Sequence, residues 1–169
     1  MSDLTIRPAV RDDLARLHPV IERAYRGEAA RAGWTHEADL VPGARTDLAT
    51  LEAIVTDPHA RLLVAFDGTD PVGSVHVESR GDGLAYRGLL SVDPQRQADG
   101  IGSRLIAAAE ACARDTFGAN AIEMTVIDVR TALIAYYERR GYALTGERRA
   151  FPVAVEPPLH LTVLVKPLP

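Results

Sequence analysis

A polar, glycine-containing turn between an apolar run and an amphipathic segment constrains the fold of this chain most strongly. The apolar run covers residues 88–92 and is typical of a buried strand, whereas residues 101–117 have helical spacing. The turn ends in Gly100 and Gly102, which lack a Cβ and let a ligand approach the main chain closely. Free N–H groups converge at a helix start and the helix dipole is positive there, so the sequence predicts a phosphate-binding turn.

The composition of the chain disfavours several classes of function. The chain has 169 residues, 47% of them hydrophobic, which predicts one domain with a full core over residues 1–169. A formal net charge of −4 disfavours nucleic acid as a partner. Cys112 is the single cysteine, so no intrachain disulfide can form, and the scattered histidines make no metal-ligand spacing with it. No window is apolar enough to span a bilayer. We therefore expect a cytoplasmic protein without a metal, a membrane contact or a nucleic-acid partner.

Hydrophobic periodicity predicts an α/β (α+β) fold. Strands are predicted at residues 4–7, 61–66, 72–79, 86–92, 121–127, 142–146 and 159–165, and helices at 10–26, 47–55, 101–117 and 130–140. Pro19 falls inside the first helix and predicts a kink or a split there. This order favours a mixed, mostly antiparallel sheet of about seven strands with flanking helices. The last two strands should pair with each other, and an exposed strand at 159–165 would suit pairing across a homodimer.

Two segments of the chain contain motifs that can be compared with a known family. The run Val-x-Pro-x-x-Gln-x-x-Gly-x-Gly, from Val92 to Gly102, resembles the acetyl-CoA loop of the GNAT acyltransferase superfamily. The segment from Tyr137 to Tyr142 resembles its helix-ending Tyr-x-x-x-Gly-aromatic motif. The resemblance implies an N-acetyltransferase that moves an acetyl group from acetyl-CoA to a small amine, an amino acid or a peptide by direct transfer in a ternary complex.

The same resemblance implies how coenzyme A would be held. The fourth strand, with a bulge, would splay from the fifth and offer main-chain groups to the pantetheine arm, and the loop amides would take the pyrophosphate. Arg96 and Arg104 could add positive charge there, and Arg130 stands where the family often has an asparagine. The predicted cofactor-binding residues are Leu90, Ser91, Val92, Gln97, Ala98, Asp99, Gly100, Ile101, Gly102, Ser103 and Arg130.

By the same resemblance, Tyr137 is the general acid. A tyrosine is protonated at neutral pH and can donate its proton to the departing thiolate. The fourth strand has no glutamate where the family often places a base, so the base stays open between Glu37, Asp39, Glu123 and a water chain. His36 is a further candidate because an imidazole titrates near neutrality.

The acceptor side of the cleft is predicted within residues 27–45. An aromatic ring beside acidic groups suits an amine, and the predicted acceptor residues are Trp34, Glu37 and Asp39. Two alternatives remain open at this stage. Because the fourth strand lacks a glutamate, the chain could be a non-catalytic acyl-CoA-binding sensor or assembly module. Alternatively, the acyl donor could carry a chain longer than acetyl. A dinucleotide-binding turn is disfavoured because Leu105 stands where its third glycine is required.

Overall fold

A seven-stranded sheet with helices against both faces organises the computed structural model, which describes residues 4–25, 45–152 and 154–169, without the side chains of residues 97–99. The strands are β1 (Leu4–Pro8), β2 (Ala60–Asp67), β3 (Asp70–Gly81), β4 (Leu84–Val92), β5 (Ala121–Ile127), β6 (Ala143–Ala150) and β7 (His160–Pro167). The described helices are α1 (Leu14–Tyr25), α2 (Leu48–Thr56), α3 (Ile101–Asp115) and α4 (Thr131–Glu138), with 3-10 turns at Arg11–Asp13 and Pro94–Asp99.

The predicted fold class is confirmed. The strand order is β1-β2-β3-β4-β5-β7-β6, and β4–β5 is the one parallel pair among the described strands. The late antiparallel pair is also confirmed, since β6 pairs with β7. The prediction of an exposed strand at residues 159–165 was wrong, because β7 lies between β5 and β6 and is paired on both edges. The exposed edge at this end of the sheet belongs to β6.

Of the kink or split expected at Pro19, the split is excluded. Helix α1 runs without interruption from Leu14 to Tyr25, and the irregular stretch is the 3-10 turn before it. Pro19 and Ala15 both lie on the exposed side of the helix. The carbonyl that loses its partner there can bond to water instead, so the proline is accommodated without ending the helix.

Two apolar layers hold the helices to the sheet. On one face, Ile101, Leu105, Ala109 and Ala113 of α3 pack with buried residues of β2 to β5 and β7. On the other face, α1 and α2 pack over β2 and over Leu89 of β4. These four residues of α3 recur every four positions along one stripe, as is typical of an amphipathic helix. None of the described helices is both long and apolar enough to cross a membrane.

Candidate functional site

Strands β4 and β5 separate soon after they pair. Their parallel ladder covers only Leu84–Ala121, Ala85–Ile122 and Tyr86–Glu123. Beyond these pairs, β4 continues to Val92 against β3, while β5 continues to Ile127 against β7. The inner edges of residues 87–92 and 124–127 therefore have no partner strand among the described residues, and we call the opening between them the wedge. The splayed strands expected from the sequence are present.

A β-bulge in β4 accompanies the wedge. Ser74 of β3 is opposite Ser91 while His76 is opposite Gly88, so β4 carries one residue more than β3 in this interval. Leu89 sits in the extra stretch with a φ of 52°. One extra residue reverses the alternation of side chains between the two faces of the sheet.

The bulge decides which face each later β4 residue occupies. Before it, Ala85 packs in the layer under α3, whereas Leu89 packs in the layer under α1 and α2. After it, Leu90 and Val92 pack against the α3 layer, and the hydroxyl of buried Ser91 lies 2.9 Å from that of Ser74. The carbonyl of Leu90 accepts a hydrogen bond from the Tyr25 hydroxyl.

The turn after β4 has the backbone geometry expected of an anion site. Gly100 has a left-handed φ of 75°, and α3 begins at Ile101 without a side-chain cap. The first helical bond at this end runs from the Arg104 N–H to the Gly100 carbonyl, at 3.2 Å. The amides of residues 101–103 have no acceptor within the helix and can bind an anion.

Both glycines of the turn leave room for such a ligand. A Cβ on Gly100 would meet no atom within 4 Å, and one on Gly102 would lie 3.6 Å from a methyl of Val92. The side chain of Ile101 is only 1% exposed and belongs to the core, so this residue can contribute its amide alone. The backbone of Gln97, Ala98 and Asp99 lies in the 3-10 turn, and their side chains fall outside the described residues.

The arginines around the turn are placed differently from the sequence-based expectation. Arg96 forms an ion pair with Asp67 at 2.9 Å, and Arg104 donates to the carbonyl of Leu4 at 3.3 Å. Arg140 donates to the Ser103 hydroxyl at 2.9 Å and so brings a positive charge to the first turn of α3. Sequence analysis did not single out Arg140, although it lies inside the motif that ends α4.

Arg130 lies on the other side of the wedge, at the start of α4. Its N–H donates to the Ile127 carbonyl at 2.9 Å, so it directly follows β5, and its side chain is half-buried. Its carbonyl accepts hydrogen bonds from the amides of Leu133 and Ile134, both at 3.1 Å. Arg130 therefore fixes the point where the chain turns from β5 into α4.

Tyr137 lies at the base of the wedge. It is 4% exposed, and its ring makes edge contacts with those of Tyr136 and Tyr142, with centroid distances of 5.2 and 5.8 Å. The Arg87 guanidinium carbon lies 4.8 Å from the centre of the Tyr137 ring. Arg87 is the first β4 residue beyond the ladder with β5. The tyrosine chosen from the sequence is therefore next to the point where the strands part.

Sequence analysis missed Arg87. It is 2% exposed, and its Nη2 lies 2.7 Å from the sulfur of Met124, the first β5 residue beyond the ladder. The available signal was a charged residue inside a predicted buried strand. Such a residue is rare in a core unless it has a specific partner or role.

One base candidate, Glu123, lies within the described residues, on the face of the sheet opposite to Arg87 and Tyr137. Glu123 is 7% exposed, and both of its carboxylate oxygens accept hydrogen bonds from Arg149, at 3.0 and 3.1 Å. This two-bond arrangement holds the carboxylate in place, which disfavours Glu123 as a mobile proton acceptor. The other candidates, Trp34, His36, Glu37 and Asp39, lie outside the described residues.

A second polar cluster lies on the same face, across β3 and β4. His76 contacts the Tyr86 ring edge-on at 6.3 Å, and its Nε2 lies 3.2 Å from a Glu78 oxygen. Burial lowers the pKa of His76, so its ring is neutral at neutral pH. The Tyr86 ring covers Gly88, where a Cβ would lie 2.7 Å from the ring. Among the described residues no group of three or more His, Cys, Asp or Glu side chains is placed to hold a metal ion.

Comparison with known proteins decides the family. Residues 20–142 match the model of the acetyltransferase (GNAT) family, a stretch that includes the wedge, the glycine turn and Tyr137. The chain belongs to the GNAT acetyltransferase family. The resemblance identified from the two sequence motifs is thereby confirmed.

One curated GNAT relative and two solved structures show the extent of the similarity. The chain is 33% identical over 125 residues to mycothiol acetyltransferase of Salinispora arenicola, covering 72% of this chain but 38% of that protein. The PaiA N-acetyltransferase of Thermoplasma acidophilum, solved with coenzyme A, is 15% identical with a TM-score of 0.75, covering 98% of this chain and 99% of that one. YncA of Salmonella typhimurium, solved with acetyl-CoA, is 18% identical with a TM-score of 0.73, covering 99% of this chain and 95% of that one.

Proposed function

We propose that this GNAT protein transfers the acetyl group of acetyl-CoA to a primary amine by direct transfer within a ternary complex. The main support is that the unpaired edge of β4 leads, through the 3-10 turn Pro94–Asp99, into the uncapped start of α3. An extended strand edge offers hydrogen-bonding groups to the amides of a pantetheine arm. A helix start offers N–H groups to a pyrophosphate. Few ligands need a free strand edge followed by a free helix start, and acetyl-CoA is one that does.

The residues present fit that ligand. We assign the pantetheine arm to the main chain of Leu90, Ser91 and Val92, and the pyrophosphate to the backbone of residues 97–103. We further assign charge-assisted hydrogen bonds to Arg140, which is held on Ser103, and to Arg130, at the start of α4. Acetyl-CoA supplies the activated acyl group; the protein supplies its position.

Tyr137 is the proposed general acid. As the acceptor nitrogen bonds to the acyl carbon, the carbon–sulfur bond breaks and its electron pair stays on sulfur. The Tyr137 hydroxyl gives its proton to that sulfur, and the phenolate regains a proton from solvent. A main-chain N–H near Val92 would stabilise the charge on the carbonyl oxygen.

The nitrogen must react as a free amine, since an ammonium has no lone pair. It therefore has to lose a proton before or during attack. We keep Glu37 as the proposed base, with Trp34 and Asp39 lining the acceptor side. A small amine, an amino acid or a peptide is the proposed acceptor class.

The test is release of free coenzyme A thiol from acetyl-CoA with a panel of polyamines, amino acids, peptides and aminoglycosides. The Tyr137→Phe variant should lower kcat by about 10²- to 10⁴-fold, the range typical of one general acid, and leave acetyl-CoA affinity nearly unchanged. The matched control is Tyr136→Phe, which removes a neighbouring hydroxyl and should keep most of the activity.

Two results would overturn the proposal. Normal turnover by Tyr137→Phe would remove its assigned role. Silence across the whole panel, with tight acetyl-CoA binding retained, would favour the acyl-CoA-binding sensor over the enzyme.

A further inference from the structure

Within the part of the chain that the structure describes, the buried positive charge of Arg87 lies at the base of the wedge without an acidic partner. No carboxylate of the described residues forms an ion pair with Arg87, and its Nε has no hydrogen-bond acceptor. The guanidinium carbon lies 4.8 Å from the centre of the Tyr137 ring and 5.3 Å from that of Tyr142. The guanidinium donates a hydrogen bond to the sulfur of Met124, a weak acceptor, and it also interacts with the hydroxyl oxygens of Tyr137 and Tyr142.

These contacts do not make Arg87 favourable for the stability of the fold. Removing a cation from water is costly, and a thioether and two ring faces compensate only part of that cost. The neighbouring positions of this layer, such as Ala85 and Met124, are apolar. An apolar side chain of similar length would fill the same space without desolvating a charge.

The guanidinium nevertheless keeps its proton. Burial acts to lower the pKa of Arg87, but the phenolic oxygens of Tyr137 and Tyr142 outweigh it and raise the pKa above the ordinary value. A permanent positive charge therefore lies against the ring of the proposed general acid.

We propose that Arg87 is a positioning residue for acyl transfer, whose guanidinium stabilises the negative charge that the Tyr137 oxygen acquires as its proton leaves. The inference rests on the role of Tyr137 in the proposed function. The proton passes from the Tyr137 oxygen to the departing sulfur, and the phenolate faces Arg87 until solvent reprotonates it. Arg87 itself gives up no proton and forms no covalent bond.

The other charged groups around Tyr137 are balanced or directed elsewhere. The Tyr142 hydroxyl donates to Glu110 at 2.9 Å, and Lys166 of β7 forms an ion pair with the same carboxylate at 2.9 Å. Arg140 packs over the Tyr136 ring at 4.4 Å and donates to Ser103. From β5, the neighbour of the guanidinium is Met124, which is uncharged. Arg87 is thus the charge that packs on the Tyr137 ring itself.

The test compares Arg87→Met, which keeps length and apolar contacts, with Arg87→Lys, which keeps the charge. The exposed Arg114→Met, which removes a cation paired with Asp115, is the matched control. With acetyl-CoA and the best amine of the panel, Arg87→Met should lower kcat by about ten- to a hundredfold, the scale set by an opposite charge at this distance. Its KM for acetyl-CoA should change by less than about threefold, because the pyrophosphate site is intact.

Three further readouts separate this role from a structural one. Arg87→Met should keep or raise the thermal midpoint, since a desolvated charge is removed, and Arg87→Lys should recover part of kcat. In a Tyr137→Phe background, Arg87→Met should cause little further loss of kcat.

The inference fails on its own if Tyr137→Phe is impaired but Arg87→Met keeps kcat. It also fails if Arg87→Met loses thermal stability and Arg87→Lys restores stability without kcat. If Tyr137→Phe turns over normally, the proposed general acid is wrong, and the inference falls with it.

Discussion

Tyr142 shows how one buried residue couples this fold to pH. It is almost completely buried, and its hydroxyl donates to Glu110, which also holds Lys166. Burial raises the pKa of Tyr142 to about 12. In the unfolded chain a tyrosine titrates near about pH 10, so the folded state holds this proton after the unfolded state has lost it.

We predict an alkaline loss of stability that depends on Tyr142. The contribution is fully present below about pH 10 and disappears as the pH rises towards about 12, because ionisation then favours the unfolded chain. The free energy of unfolding should fall by about 2 kcal/mol over this interval in the wild type, beyond the fall seen in Tyr142→Phe. Urea titrations at a series of pH values would measure it. The control Tyr86→Phe should keep the wild-type slope, and an identical slope in Tyr142→Phe would contradict the prediction.

At the scale of elements, the bulge in β4 is the feature that shapes the site. It moves Leu89 to the α1 layer and Leu90 and Val92 to the α3 layer. It also requires Leu89 to adopt a left-handed conformation, with a φ of 52°. That conformation is unfavourable for any residue with a Cβ.

The bulge predicts an unusual order of stability for substitutions at residue 89. At an ordinary strand position, the glycine variant of a protein has a free energy of unfolding about 0.5–1 kcal/mol lower than the alanine variant. At Leu89 the order should reverse, with Leu89→Gly more stable than Leu89→Ala by about 1 kcal/mol, because only glycine adopts the left-handed region without a steric penalty. The same pair at buried Leu63 of β2 should show the ordinary order. Chemical denaturation of the four variants measures both, and an ordinary order at residue 89 would argue against the bulge.

The start of α3 is the second element on which the proposed function depends. A carboxylate at residue 102 would face the proposed pyrophosphate, so Gly102→Glu should weaken coenzyme A binding by at least about a hundredfold, or about 2.7 kcal/mol. The thermal midpoint should change little, because the position has room for a Cβ. Ala107→Glu adds the same charge on the exposed side of the same helix and should bind normally. Calorimetric titration with coenzyme A distinguishes them, and equal affinities would refute the assigned site.

In the whole molecule, the wedge lies between two parts of the sheet. Strands β1 to β4 form one part and β5 to β7 the other, and their direct ladder has only three residue pairs. Helix α3 crosses this division, since its buried side chains pack on strands of both parts. A ligand bound along β4 and at the start of α3 should therefore stabilise the junction between the parts.

Hydrogen exchange would test this directly. On addition of coenzyme A, amides of residues 88–92 and 101–103 should exchange more slowly, because the ligand supplies acceptors and excludes water. Amides on the outer edge of β6 should be unaffected, since that edge is exposed and remote from the proposed ligand path. Protection confined to α3, without any in β4, would contradict a pantetheine arm in the wedge.

Local patterns in the chain were enough to predict the helices and strands and to select the glycine turn as the candidate cofactor site. The alternation in the strands, the stripe Ile101, Leu105, Ala109, and the glycines of the turn act over a few residues. Their consequences therefore do not depend on distant contacts. Tyr137 could be chosen in the same way, because its motif is continuous in sequence.

Only the tertiary structure decided how distant residues meet. Arg87 and Tyr137 are fifty positions apart and touch because β4 and β5 part between them; Glu123 is held by Arg149 because β7 brings β6 near. The insertion of β7 between β5 and β6, which reversed the expected edge strand, has the same origin. Pairing between strands depends on the competition of all possible partners, and no local window contains that competition. The chemical types of the site residues are thus local information, whereas their charge environment is a property of the folded chain.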